Sequence, residues 1–335
     1  MDTSARHQIT IWLGAVAALL IVMIMLGGLT RLTDSGLSIT EWKPVTGAVP
    51  PLSPGAWESE FAKYKTIPEY ERVNPGMTLG EFKRIYWWEW THRFVGRLIG
   101  LVFAVPFLYF LLTRKIERSL VPRLAVIFFL GGAQGALGWF MVKSGLVHRV
   151  DVSQYRLAAH LALAFTIFAA VLWTIYDLAA KGRATVVVTP QMRAAAGGFV
   201  ALVASQIVMG AFVAGLDAGF AYNTWPLMDG RIIPAGMGFV FEDTTAAQFT
   251  HRTIAYLVLA GAIVLWWQAR KGGGAALKSA KAVLHTTLLQ VALGIATLLS
   301  VVALPLAAAH QLCAAALLGV ALYHLHAVTV RGITR

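Results

Sequence analysis

Apolar positions run along this chain in uncharged blocks of about 17 to 23 residues, broken by short segments that carry nearly all the charge. A helix needs about 20 such residues to cross a hydrocarbon core of about 30 Å. The blocks predict helices over 9–30, 90–113, 123–142, 156–178, 194–216, 250–269, 280–302 and 305–330. The 49 uncharged positions between Lys281 and Arg331 are too many for one crossing. Leu304-Pro305 is the natural break there, because proline removes a backbone donor and clashes with the preceding turn. The fold class that follows is all-α membrane protein with eight transmembrane helices.

Composition sharpens this picture. Of 335 residues, 58% are hydrophobic and 13% charged, against about 25% charged in a soluble domain. An ordinary soluble enzyme is excluded. The net charge of +12 would point to nucleic acid in a soluble protein, but here the basic residues sit in short loops beside apolar spans and act as topology signals. Nucleic acid is therefore not an expected partner. With the N-terminus in the cytoplasm, 14 basic residues face three acidic ones on the inner side, among them Lys181, Arg183, Lys271, Arg331 and Arg335. The outer side is nearly balanced. The positive-inside rule thus puts both termini in the cytoplasm. The first block is too long for a secretory signal and lacks a small-residue cleavage pattern. Cys313 is the only cysteine, which excludes an intrachain disulfide, a thiolate zinc site and a cysteine-ligated iron–sulfur cluster.

The two halves resemble each other. LGGLTRLTDSGLS from Leu26 aligns with MGAFVAGLDAGFA from Met209 at an offset of 183, continuing through Trp42 and Trp225, Gly47 and Gly230, Pro51 and Pro234. WTHR at 90–93 meets FTHR at 249–252, and QGALG at Gln134 meets QVALG at Gln290. Each half holds four spans, an even number, so the copies enter the membrane in the same direction. The reading is two parallel-repeat four-helix bundles, residues 1–182 and 183–335. The outer loop 32–88 is too long for a plain connector. Ser53-Pro54 marks a helix start, Trp57 to Lys65 has amphipathic spacing, and Thr78 can cap a segment running through Trp87, Trp88 and Trp90 into the second span. Short surface helices with interfacial tryptophans are expected, as a solvated loop or as a lid.

Four of nine histidines occupy repeat-related places. His92 and His251 open the second and sixth spans; His160 and His310 lie just inside the fourth and eighth. All four are expected at similar depth near the outer face. Ionisable residues within spans are costly in lipid. A lone histidine is best read as a hydrogen-bonded structural residue, but four paired by a repeat reverse that preference. Two histidines on facing helices of a bundle can ligate a haem iron axially while apolar side chains enclose the macrocycle. Arg93, Arg97 and Arg252 follow the histidines by one or five positions, where guanidinium groups can meet propionates. Anchoring to lipid headgroups is an equal alternative for each. Gly96 and Gly100 permit close approach of a ring, or ordinary helix packing. Gln134 and Gln290 are placed for interhelical hydrogen bonds. His285, His324 and His326 belong toward the cytoplasmic side, and His7 and His148 to exposed segments; none is assigned a ligand role. A zinc site is disfavoured because its ligands would be spread over two bundles.

The halves differ at one telling place. Glu89 lies three residues before His92, on the same helix face, whereas Gln248 precedes His251. A carboxylate can move protons or position water; an amide can only hydrogen-bond. A solvated residue at a helix entry is the plainer alternative for Glu89.

These motifs together resemble the haem A synthase family over all eight spans. The likeness rests on GGLTRLTDSGLSITEWKPVTGAVPP at 27–51, EWTHR at 89–93, the His160 helix, THR at 250–252 and the His310 helix. The resemblance implies conversion of haem O to haem A, the C8 methyl becoming a formyl group by successive hydroxylations. It implies a resident haem b on His251 and His310, with Arg252 nearby. It implies that haem O is held near His92, His160, Arg93 and Arg97, with Glu89 as the catalytic carboxylate. Haem O synthase is the pathway partner and membrane lipid the surrounding medium; a homo-oligomer stays open. Some family members carry a cysteine pair in the first outer loop. Its absence here is similar to the proteobacterial and mitochondrial branch, and the lack of an Arg-rich presequence points to a bacterial inner membrane. Two other function classes remain to be separated. A dihaem b-type electron-transfer cytochrome predicts the same histidines without a task for Glu89. A parallel-repeat transporter predicts a colourless protein.

Overall fold

In the computed structural model, which describes residues 2–180, 186–270, 274–330 and 332–334, the chain folds into ten α-helices. These are α1 (Thr3–Leu32), α2 (Pro54–Tyr64), α3 (Pro68–Arg72), α4 (Leu79–Leu112), α5 (Val121–His148), α6 (Gln154–Ala180), α7 (Pro190–Gly215), α8 (Thr244–Ala269), α9 (Gly274–Leu299) and α10 (Leu304–Thr329). All but α2 and α3 are long and apolar enough to cross a membrane, making this a multi-pass membrane protein. Two three-residue strands that the hydrophobic pattern does not announce, Val186–Val188 and Gly332–Thr334, pair in parallel. Lys181, Arg183, Lys271, Arg331 and Arg335, expected on the inner side, and the His148 side chain lie outside the described residues.

Local chemistry explains where the helices begin and end. Thr78 and Glu81 form a capping box, with Glu81 Oε2 accepting from the Thr78 amide at 2.9 Å and Thr78 Oγ1 from the Glu81 amide at 3.3 Å. They start α4 well before the uncharged block that announces its span. Ser53 caps α2 through its hydroxyl, with Pro54 in the first turn. Between α9 and α10 the chain turns through left-handed conformations at Val301 and Val302, costly for β-branched residues, and Pro305 opens the next helix. Inside α4, Pro106 cannot donate to the carbonyl of Val102. Trp12 of α1 donates to that oxygen instead, at 2.7 Å.

Helix α1 packs on α4 and α6, and α5 packs on the same two; α7 packs on α8 and α10, as does α9. The halves meet where α6 touches α7 and where α10 touches α1 and α6. Gln311 donates to the Ile24 carbonyl at 2.8 Å and Tyr176 to that of Gly319 at 3.0 Å, tying α10 to α1 and α6. At the end bearing the long loop, Arg31 bridges Asp34 and Asp217, each at 2.7 Å. These two aspartates share a left-handed backbone and stand 183 residues apart, a conformation aspartate tolerates better than most residues.

The long loop is a packed cap. Trp57, Phe61 and Tyr64 of α2 bury one amphipathic face against Phe82 and Tyr86 of α4, with Leu37, Ile39 and Ile67 completing a second core. Val142 and Leu146 of α5 pack against it. Fully buried Phe82 has ring centroids 5.0 Å from Phe61 and 5.2 Å from Tyr64. Phe82→Ala should therefore cost roughly 3–5 kcal/mol, read as a lower melting temperature and as faster proteolysis within 33–78.

Candidate functional site

His160, His251 and His310 sit in the early part of α6, α8 and α10, and His92 lies farther along α4, whose first turns belong to the cap. Each ring rests on a glycine of a neighbouring helix. A methyl group added at Gly27 would lie 3.3 Å from His92 Nε2, and one at Gly210 would lie 3.2 Å from His251 Cε1. At Gly138 and Gly294 it would come within 2.9 Å of Cε1 of His160 and His310. Gly27 and Gly210 are repeat equivalents, as are Gly138 and Gly294, so the duplicated sequence builds duplicated seats. His92 and His160 lie within electrostatic reach of each other, and so do His251 and His310.

Three of the four rings meet a glutamine amide four residues before the seat glycine. Gln134 Nε2 is 3.3 Å from His160 Nε2 and donates to the His160 carbonyl at 3.0 Å. Gln206 repeats both contacts to His251 at the same distances. Gln290 Nε2 lies 3.4 Å from His310 Nε2. Gln206 escaped the reading of the residues, although the signal is visible as Q-x-x-x-G at 134–138, 206–210 and 290–294. The fourth copy, at 23–27, carries Met23 in the glutamine's place, so the His92 seat lacks the amide. Met23 Cε packs toward Gly96. Around Gly100 there is open space.

The Nδ1 atoms of His160, His251 and His310 are buried without a partner, and so are Oε1 of Gln134, Gln206 and Gln290. Unpaired polar atoms among apolar helices are costly, so the sites are built for something further. Among the described residues no three His, Cys, Asp or Glu side chains converge on a point. A metal held by protein ligands alone does not fit paired imidazoles. Paired imidazoles would suit a metal that arrives already held by a macrocycle.

Beside His92 and His251 the repeat presents one frame with different chemistry. Glu89, 2% exposed, accepts from Ser38 Oγ at 2.8 Å and the Ile39 amide at 2.7 Å through Oε2, and from Arg93 Nη2 at 2.5 Å through Oε1. Arg93 also donates to the carbonyls of Ile39 and Glu41. In the other half Arg252 donates to the carbonyls of Tyr222 and Thr224, the residues equivalent to Ile39 and Glu41. Gln248 donates to Tyr222 O at 3.1 Å and accepts from Arg252 at 3.3 Å. A carboxylate accepts at about four positions, and the three donors on Glu89 leave about one, on Oε1. Arg97 is bound to the carbonyls of Pro44 and Lys43. Its Nη1, like Arg252 Nε, is buried without a partner.

The remaining histidines stand apart. His324 Nδ1 pairs with Ser279 Oγ at 2.8 Å and His326 with Asp177 at 2.9 Å, both near the end opposite the cap. His7 is exposed and His285 lies near the middle of α9.

The family model described as cytochrome oxidase assembly protein matches residues 10–322. A protein of Parvibaculum lavamentivorans named heme A synthase is 54% identical, the match covering 96% of this chain and 94% of the relative. Heme A synthases of Rhodospirillum centenum and Azorhizobium caulinodans are 50% and 49% identical, covering 97% and 95% of this chain and 89% and 93% of theirs. Matched in this way from the first span into the last, the chain belongs to the cytochrome oxidase assembly protein (COX15-CtaA) family.

Proposed function

We propose that this protein is a haem A synthase that oxidises the C8 methyl of haem O to a formyl group. The observation that carries the reading is the broken symmetry of its two histidine sites: shared seats and a shared arginine frame, with a carboxylate at one and an amide at the other. Paired imidazoles with unpartnered ring nitrogens, glycine seats and apolar surroundings suit a tetrapyrrole. His251 and His310 would hold a resident haem b, and His92 and His160 the iron of haem O. Bound haem supplies a one-electron acceptor.

The chain's own residues then divide the work. Glu89, through the acceptor position left on Oε1, takes a proton and orients water toward the carbon under oxidation. Arg93 fixes that carboxylate and carries the 39–41 backbone with it. Arg97 Nη1 and Arg252 Nε are the donors available to propionates. The cap packed over α4 keeps bulk water from the reacting carbon. Residues 1–182 and 183–335 act as two four-helix units, one for substrate and one for the resident haem, joined through α1, α6, α7 and α10. In a bacterial inner membrane, the positive-inside balance supports cytoplasmic termini and both sites toward the outer face. A haem O synthase is the enzyme that must supply the substrate.

Glu89→Gln keeps the shape but leaves a donor facing a donor, so haem A formation should fall to background while the haem b spectrum persists. Extraction and mass analysis of haems after incubation with haem O checks this; full activity in the variant would falsify the role of Glu89 and favour a dihaem electron-transfer cytochrome. His251→Ala or His310→Ala should abolish bound haem b, measured as haem per protein. Gly294→Ala should lower haem b content by pushing the His310 ring from its seat. Gly197→Ala, where nothing lies within 4 Å, should leave that content unchanged.

A further inference from the structure

Exchanging methyl hydrogens for one water oxygen releases protons and electrons in equal number. Glu89 has about one open acceptor position and is clamped by Arg93, so it cannot store the protons that repeated turnover delivers. The cap holds a second carboxylate suited to receive them. Glu69 is 4% exposed, and its Oε2 has no hydrogen-bond partner. It sits on α3, which packs against α5, and lies within electrostatic reach of Glu89 on α4, Asp34 after α1 and Asp151 between α5 and α6. The nearby phenol of Tyr64 on α2 is bound by Asn74 at 2.8 Å.

Each of those acids has its own arginine: Arg93 for Glu89, Arg31 for Asp34 and Arg149 for Asp151. Among the described residues, Glu69 has none. Burial, and then the three negative neighbours, push its carboxyl up to about 8. A buried carboxyl of this kind is neutral at rest and able to shed its proton near neutral pH. Two of the neighbours reach solvent, Asp34 with 76% and Asp151 with 43% of the side chain exposed. The order from interior to surface is thus Glu89, Glu69, then Asp34 and Asp151.

We propose that Glu69 is the proton-relay residue of this site, receiving protons released at Glu89 and passing them to Asp34 and Asp151 at the surface of the cap. It acts through Glu89 and does not touch the substrate, and the assignment rests on the acid–base role given to Glu89 above.

The test is the pH profile of haem A formation from haem O by the full-length protein in lipid nanodiscs, for wild type and Glu69→Gln. An amide mimics the neutral carboxyl in size and charge, so bound haem b and resistance of the cap to proteolysis should match wild type. In wild type the rate should rise as pH passes through about 8, where Glu69 becomes an acceptor. In Glu69→Gln that rise should vanish and the rate above it fall by about 10²-fold, the low end for a positioned proton acceptor. Glu69→Asp, which keeps an acceptor, should retain the rise at a shifted pH and serves if the amide variant loses its haem. Superimposable profiles for wild type and either variant overturn the relay alone. Absence of haem A from wild type at every pH overturns the function on which it rests.

Discussion

Polar groups enclosed by apolar helices must find partners inside the protein, because lipid offers none. Four imidazoles set among these helices are the heaviest instance of that demand here, and much of the architecture answers it. Glycines clear room for the rings, and glutamines from adjacent helices reach three of them. Even so, three ring nitrogens stay unpaired. A ligand would satisfy that remainder, so the same constraint that shapes the helix packing marks the candidate site. Pro106 shows the rule elsewhere in the bundle: the carbonyl it leaves free is taken up by an indole from α1.

Around that duplicated frame the protein differentiates by small steps. One carboxylate replaces an amide, and the arginine beside it holds backbone carbonyls at equivalent positions in both halves. The Ile39 and Tyr222 carbonyls both meet the arginine; Ile39 adds its N–H to the carboxylate, and Tyr222 O adds acceptance from the amide. Met23 in place of glutamine leaves the His92 seat without the amide that the other three have. Under the proposed function that seat would take the substrate, which must arrive and leave.

Much of this was legible in the residues. Spans follow from uncharged runs, the cap's helices from Ser53-Pro54, the Trp57 to Lys65 spacing and Thr78, and the candidate site from histidines at repeat-related positions. Interhelical bonds at Gln134 and Gln290 were expected and are present. Gln206 was overlooked because the repeat is weakest there, its counterpart being a methionine, so comparing two halves hides a pattern that comparing four helices reveals. The partners of Arg93 and Arg97 were also out of reach: both bind backbone carbonyls of the long loop, and main-chain oxygens leave no mark in a sequence.

What the sequence determined by itself was the number of crossings and the doubling of the motifs, since each depends on local patterns along the chain. Only the tertiary structure decided which groups meet. The burial of Glu69 without a basic partner, the shared arginine frames and the clamp on Glu89 all depend on how a long connection folds back over helix ends. Contacts between residues far apart in the chain are set by the sum of many weak packing choices, and no local pattern records that sum.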